Sequence, residues 1–315
     1  MTRLVIVQKP PVFLDKAATV AAAAEYVAAA AREGARLVLF PEAYIPGYPA
    51  WIWRLKPGQD GKLSDELYAR LLENSVRLGG EDLAPIQDAA QMHEVTVVCG
   101  VNERDSSHSR ATLYNTAVVI GPGGELLNRH RKLMPTVAQR TFWGFGAASG
   151  LRTVATPAGR LGSLICWENY MPLARFALYA QGVEIYTAPT YDYGDGWIGT
   201  MQHIAREGRC WVAGCGSVLR GKDIPGDFPG REEIYPDPGE GINPGDSVVV
   251  APGGEIVAGP LRREEGMLFF DVDHDKIAVA KRSLDVPGHF SRPDIFTLHI
   301  KTGLPTLVEY DRDES

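Results

Sequence analysis

Three consecutive stretches decide the class of fold: Leu4-Val5-Ile6-Val7, the segment from Asp15 to Gly34, and Arg36-Leu37-Val38-Leu39-Phe40. The outer two are short, continuous apolar runs, the pattern of strands buried on both faces. The middle one is rich in alanine through Ala31, opens after Asp15 as a natural N-cap and stops at Gly34 as a natural C-terminal glycine. Strand, helix, strand is the crossover unit that joins parallel neighbours in a sheet. Pro41-Glu42 follow at once, so a carboxylate sits just past the end of a buried strand.

Outward from this unit the elements alternate. Helical patterns recur around Ser64 to Leu78, Asp82 to His93, Trp197 to Arg209 and Asp273 to Ser283, and Val95-Thr96-Val97-Val98 forms a strand ending at Cys99. Hairpins are read where Thr116-Ala117-Val118-Val119-Ile120 turns through Gly121-Pro122-Gly123-Gly124, where Thr153-Val154-Ala155 turns through Pro157-Ala158-Gly159, and where Ser247-Val248-Val249-Val250 turns through Pro252-Gly253-Gly254. Crossover units interleaved with hairpins predict mixed sheets covered by helices on their outer faces. The stretch from Gly221 to Gly245, rich in Pro, Gly and acidic residues, reads as a long surface loop, a lid or an interface segment.

The run Leu161-Gly162-Ser163-Leu164-Ile165-Cys166-Trp167 reads as one more strand, and Pro172 to Gly182 as a helix with proline in its first turn and glycine past its end. Cys166 therefore falls at a strand-turn-helix junction, where nearby helical N–H groups favour a thiolate. The competing reading is a small apolar side chain, because free cysteine is among the most buried residue types. Cys99, Cys210 and Cys215 end or flank other strand-like runs. No CxxC pair occurs and no histidine stands at zinc-ligand spacing, so neither disulfides nor a structural metal is expected. Four cysteines in 315 residues, with no apolar signal segment and no membrane-length run, read as a reduced, soluble, cytoplasmic chain.

Composition is that of a globular enzyme, 45% hydrophobic and 23% charged, and the net charge of −7 argues against nucleic acid or an anionic membrane as the main partner. The local basic run Arg129-His130-Arg131-Lys132 reads as a solvated hairpin end if Lys132 has no companions.

Companions are available. Glu42 follows one strand, Lys132 a hairpin arm and Cys166 another strand. For a thiol to attack an electrophilic carbon its proton must go to a base, and a carboxylate in a water-poor cleft serves. Negative charge then develops on the substrate heteroatom, which an ammonium and backbone N–H groups stabilise.

In these three contexts, Phe40-Pro41-Glu42-Ala43-Tyr44, His130-Arg131-Lys132-Leu133-Met134-Pro135 and Ile165-Cys166-Trp167-Glu168-Asn169, the chain resembles the nitrilase branch of the carbon-nitrogen hydrolase superfamily. The resemblance runs to the Gly288-His289-Phe290-Ser291-Arg292-Pro293-Asp294 stretch. Cys166-Trp167-Glu168-Asn169 followed by Met171-Pro172-Leu173 looks like nitrilases proper, and residues 40 to 49 support the same branch. The resemblance implies an α/β fold, a four-layer α-β-β-α sandwich of two mixed sheets with outer helices. It implies a single domain over 1–315 with a C-terminal extension from about residue 285 involved in assembly, and neither metal nor organic cofactor. It further implies a homo-oligomer built from dimers, spiral in some members, with loops near 48 to 62 and 222 to 245 contributing.

The implied reaction is hydrolysis of a small-molecule nitrile to a carboxylic acid and ammonia through a covalent thioimidate and thioester on Cys166, with some amide product. Alternatives are an amidase or N-carbamoyl hydrolase using the same Glu-Lys-Cys set, or a weakly active or non-catalytic binding homologue. The last arises because members carry a second glutamate where this chain has Gln139, and an amide exchanges no proton at neutral pH. The segment Trp143-Gly144-Phe145-Gly146-Ala147 also lacks the acidic residue expected after its second glycine.

Around the triad, Gln139, Trp167 and Glu168 are candidates for supporting roles, Glu168 by binding backbone N–H or a polar group of the substrate. Tyr48, Trp53, Trp143, Thr190, Tyr191 and Trp197 are the pocket candidates, and with Trp51 their aromatic members suit an aryl or arylalkyl group, although each also reads as core or interface. His203 is either an inward-pointing group or a structural hydrogen-bonding histidine.

Overall fold

The computed structural model describes residues 1–303 and 308, apart from 57, 107 and 108. Two sheets form the centre. The first has, in spatial order, strands Gly266–Val272, Thr2–Gln8, Leu37–Leu39, Thr96–Arg104, Leu113–Ile120 and Leu126–Arg131. The second runs Val218–Arg220, Gly241–Val250, Trp211–Gly216, Ile185–Thr190, Gly159–Ser163 and Val154–Thr156, with Ile256–Arg262 paired to Gly241–Val250. Both are mixed. Thr2–Gln8, Leu37–Leu39 and Thr96–Arg104 are mutually parallel, as are Gly159–Ser163, Ile185–Thr190 and Trp211–Gly216, while the strands toward both edges of each sheet pair antiparallel, some of them as hairpins and others from distant parts of the chain.

The alternation along each strand builds the layers. Leu4 and Ile6 face inward with Leu37, Leu39, Val98 and Val119, against Leu161, Ile185, Trp211, Ala213 and Val249 of the second sheet. Val5, Val7, Val38 and Val97 face outward, where helices Lys16–Arg32 and Ala84–His93 cover them with Val20, Ala23, Val27, Ile86 and Ala90. On the far side Pro172–Tyr179 and Asp195–Gly208 cover Tyr186, Ala188, Val212 and Val248. The result is helix, sheet, sheet, helix. Among the described residues no helix is long and apolar enough to cross a membrane.

The first helix behaves as its sequence predicts, with the Asp15 carboxylate accepting the Ala18 N–H and Gly34 at φ +82°. Elsewhere tertiary bonding moves the boundaries. The helix expected over Ser64 to Leu78 spans Gly61–Glu73, because the Val76 N–H leaves to donate to Asn102 O and Val76 O accepts the Arg104 N–H at the sheet edge. The segment from 221 to 245 is largely irregular and partly exposed, as expected of a surface loop, but it is anchored. It carries a short helix, Arg231–Ile234, and the start of the strand Gly241–Val250, and it buries Ile224, Phe228, Ile234 and Tyr235 against Phe13, Trp51 and Ile52 at the open end of the sheets. Phe228 meets both Phe13 and Trp51, and the Arg54 guanidinium lies 4.4 Å above the Tyr235 ring. Its aromatic residues outweigh its Pro and Gly content.

Candidate active site

Each of the three side chains stands just beyond the C-terminal end of a strand. The first sheet carries Glu42 after Leu37–Leu39 and Lys132 after Leu126–Arg131; the second carries Cys166 after Gly159–Ser163. Lys132 Nζ donates to Glu42 Oε1 at 2.8 Å, with both side chains fully buried. Glu42 Oε1 also accepts from Asn115 Nδ2 at 2.6 Å, and Oε2 accepts the Tyr191 N–H at 2.7 Å. Every oxygen of this carboxylate is thus aimed by a donor. Burial works against the Lys132 charge, but Cys166 and Glu42 raise its amine above the ordinary value, so it remains an ammonium.

Cys166 is 5% exposed and begins a 3-10 turn, Cys166–Tyr170, with φ at +53°. The strand predicted through Trp167 therefore ends at Ser163, and the left-handed backbone at Cys166, unusual for a non-glycine residue, turns its side chain toward the facing sheet. The expected thiolate is not favoured. Burial, with Glu42 alongside, pushes the thiol up to about 12, against the pull of Lys132, the Thr190 hydroxyl and the Tyr191 N–H. A single 3-10 turn supplies too little positive potential to offset the loss of water.

The basic run is not a solvated hairpin end. Residues 128, 130 and 132 alternate into the interior, and His130 Nε2 lies 3.0 Å from Glu168 Oε2 with both fully buried. Arg129 and Arg131 both pair with the buried Glu103. Glu168 accepts the Ile165 N–H at 2.7 Å and the Leu133 N–H at 2.6 Å, one residue before Cys166 and one after Lys132. Asn169 Nδ2 donates to Cys166 O at 2.7 Å and Asn169 Oδ1 accepts the Tyr186 hydroxyl, also at 2.7 Å, which fixes the far side of the turn.

The carbon-nitrogen hydrolase family model matches residues 3–282. This chain belongs to the carbon-nitrogen hydrolase family. Among its relatives, an aliphatic nitrilase of Sinorhizobium fredii (strain HH103) is 40% identical, with 94% of each chain covered. A bifunctional nitrilase/nitrile hydratase of Nicotiana tabacum is 38% identical over 99% of this chain and 90% of its own length. A carbon-nitrogen hydrolase from Helicobacter pylori G27 shares the fold, with a TM-score of 0.68 at 18% identity over 94% of this chain and 96% of that one.

In this carbon-nitrogen hydrolase the aromatic candidates separate. Tyr48 and Tyr191 stack at 3.7 Å beside Glu42, and Trp143 meets Tyr48 edge-on while donating to Asn102 Oδ1 at 3.0 Å. Trp53 is 47% exposed and donates to the Tyr48 hydroxyl at 3.0 Å; Trp167 is 50% exposed and donates to Asp192 at 2.9 Å. Trp197 is not at the site: it lies buried between its helix and the second sheet, close to Gly214. That helix begins at Asp195, which turns Trp197 onto its buried face. Trp51 packs in the apolar cluster at the open end. His203 points outward, 63% exposed, 3.7 Å from Glu207.

Gln139 Oε1 accepts from Lys132 Nζ at 3.0 Å, a second acceptor for the ammonium beside Glu42. Sequence reasoning missed Asn115, His130 and Gly100. The last admits the Glu42 loop so closely that a Cβ there would lie 2.1 Å from Pro41 O. A polar residue inside an apolar strand, as at Asn115, was the available signal.

Proposed function

We propose that the chain is a nitrilase in which Cys166 is the nucleophile, Glu42 the general base and acid, and Lys132 the fixed cation that orients Glu42 and offsets developing negative charge. The observation that carries the reading is the buried Lys132–Glu42 contact of 2.8 Å within electrostatic reach of a protonated Cys166. A thiol that keeps its proton at rest needs a base at the moment of attack, and Glu42 is the carboxylate beside it.

Cys166 sulfur bonds to the nitrile carbon while Glu42 passes the thiol proton to nitrogen, giving a thioimidate. Water adds, surrendering one proton through Glu42 to the nitrogen; the proton of the new hydroxyl follows by the same route as the C–N bond breaks, so ammonia leaves and a thioester carbonyl remains. A second water, deprotonated by Glu42, breaks the C–S bond to give the acid and restore the thiol. If the first tetrahedral intermediate expels sulfur instead, the product is the amide, and the Nicotiana tabacum relative is named a bifunctional nitrilase/nitrile hydratase. Tyr48, Tyr191, Thr190 and Trp143 flank this centre, while Gln139 and Glu168 hold its loops.

We read the chain as one domain with an assembly segment from about residue 285, forming a homo-oligomer in the cytoplasm. Exposed Leu173, Phe290 and Phe296 support the assembly, and four buried free cysteines suit a reducing compartment. A nitrile panel scored for acid, amide and ammonia tests the activity. Turnover of benzonitrile but not benzamide is expected; turnover of benzamide alone would assign an amidase.

A further inference from the structure

We propose that Tyr48 donates a hydrogen bond to the nitrogen or oxygen carried by the carbon attached to Cys166, and that Gln139 is what frees it to do so. The inference rests on the reading of Cys166 as nucleophile.

The orientation of the Gln139 amide is settled by its partners. Its Oε1 faces Lys132 Nζ at 3.0 Å and the Thr136 N–H at 2.7 Å, two groups that only donate. The Nε2 group must therefore point the other way, and it donates to the Tyr48 hydroxyl at 2.7 Å. Trp53 Nε1, also a donor only, reaches the same oxygen at 3.0 Å. The Tyr48 oxygen accepts twice, and among the described residues its own hydrogen has no acceptor.

The ring is held in place. It stacks on Tyr191 at 3.7 Å and 7° between planes and meets Trp143 edge-on at 5.5 Å. Tyr191 in turn gives its N–H to Glu42. Burial, then the neighbouring Glu42 and Cys166, push the phenol well above its ordinary value, so the hydrogen stays on oxygen. A fixed, neutral, unspent O–H on a buried ring that shares a pocket with Glu42 suits charge that appears only during reaction.

A carboxylate at position 139 would reverse this polarity. It accepts from Lys132, Thr136 and also Tyr48, and so captures the phenolic hydrogen. The amide does the opposite, donating to Tyr48 and leaving that hydrogen for the substrate.

A double-mutant cycle on the full chain with a turned-over nitrile tests the idea. Tyr48→Phe lowers kcat on the order of a hundredfold with little change in KM. In the Gln139→Glu background the same substitution changes kcat by less than about threefold, because the hydrogen is already taken. The ratio is read whichever way Gln139→Glu moves the rate. Replacing Tyr48 by 3-fluorotyrosine, which keeps the ring and both accepted bonds, raises kcat only in the Gln139 protein. Full kcat in Tyr48→Phe, or equal losses in both backgrounds, overturns the proposal. Cys166→Ala is the control for the reading beneath it: ammonia release that survives there sinks the nucleophile assignment instead.

Discussion

The Glu168 carboxylate accepts the Leu133 N–H at 2.6 Å, and through its other oxygen the Ile165 N–H at 2.7 Å. One buried side chain thus bolts the loop that carries Lys132 to the turn that carries Cys166, across the seam between the two sheets. Burial opposes its charge, but His130 and these N–H groups hold the carboxyl below the ordinary carboxylate value. Its place next to the nucleophile is a matter of positioning.

Glu168→Gln should therefore damage both rate and stability. An amide offers one oxygen, so one of the two backbone N–H groups is left facing an NH2 group. Unfolding in urea should show a loss of about 1–3 kcal/mol, and kcat should fall on the order of a hundredfold because the two loops lose register. Unchanged kcat would mean that the loops are held by other contacts.

Gly100→Ala tests the packing beneath Glu42. The added methyl would lie 2.1 Å from Pro41 O and 2.5 Å from the Ala43 N, both backbone atoms. The Glu42 loop must shift, so ammonia release should fall at least tenfold while the overpacked strand costs about 1–3 kcal/mol. Activity at the wild-type level would show that the loop tolerates displacement.

The resting thiol gives a pH prediction. With Cys166 pushed up to about 12 by burial and by Glu42, alkylation by iodoacetamide, mapped to Cys166 by mass spectrometry, should keep climbing from pH 7 to pH 10. A plateau below pH 8 would indicate a preformed thiolate and remove the need for Glu42 as base.

Acid stability should depend on Glu103. Burial opposes its charge, but Arg131 and Arg129 hold its folded value below the ordinary 4.5. The unfolded chain therefore takes up this proton first, so the stabilisation is present above pH 4.5 and is lost as pH falls through the lower folded value. Glu103→Gln should be less stable than wild type at pH 7, and the gap should narrow below about pH 4. Melting curves that stay parallel from pH 7 to pH 3 would contradict this.

Glu42 and Cys166 stood out in the chain because each follows or closes an apolar run, and Lys132 because it ends a basic run after a hairpin arm; the layered fold was legible because apolar runs alternate with helical patterns. Asn115 was not, since a polar residue on a strand reveals its partner only after strand pairing places it opposite Asn102, two strands from Glu42. Trp197 was misplaced because helical phase depends on where the helix starts. The thiol's protonation was misjudged because desolvation is a property of the closed fold, whereas the turn after Cys166 is visible in the chain.

The central claim is covalent catalysis by Cys166, and its most direct measurement is the mass of the protein quenched during turnover of a nitrile. Wild type should carry a substrate-sized adduct mapped to the Cys166 peptide, Glu42→Gln should lack it or fail to clear it, and Cys166→Ala should carry none and release no ammonia. Ammonia release by Cys166→Ala at the wild-type rate would contradict the account.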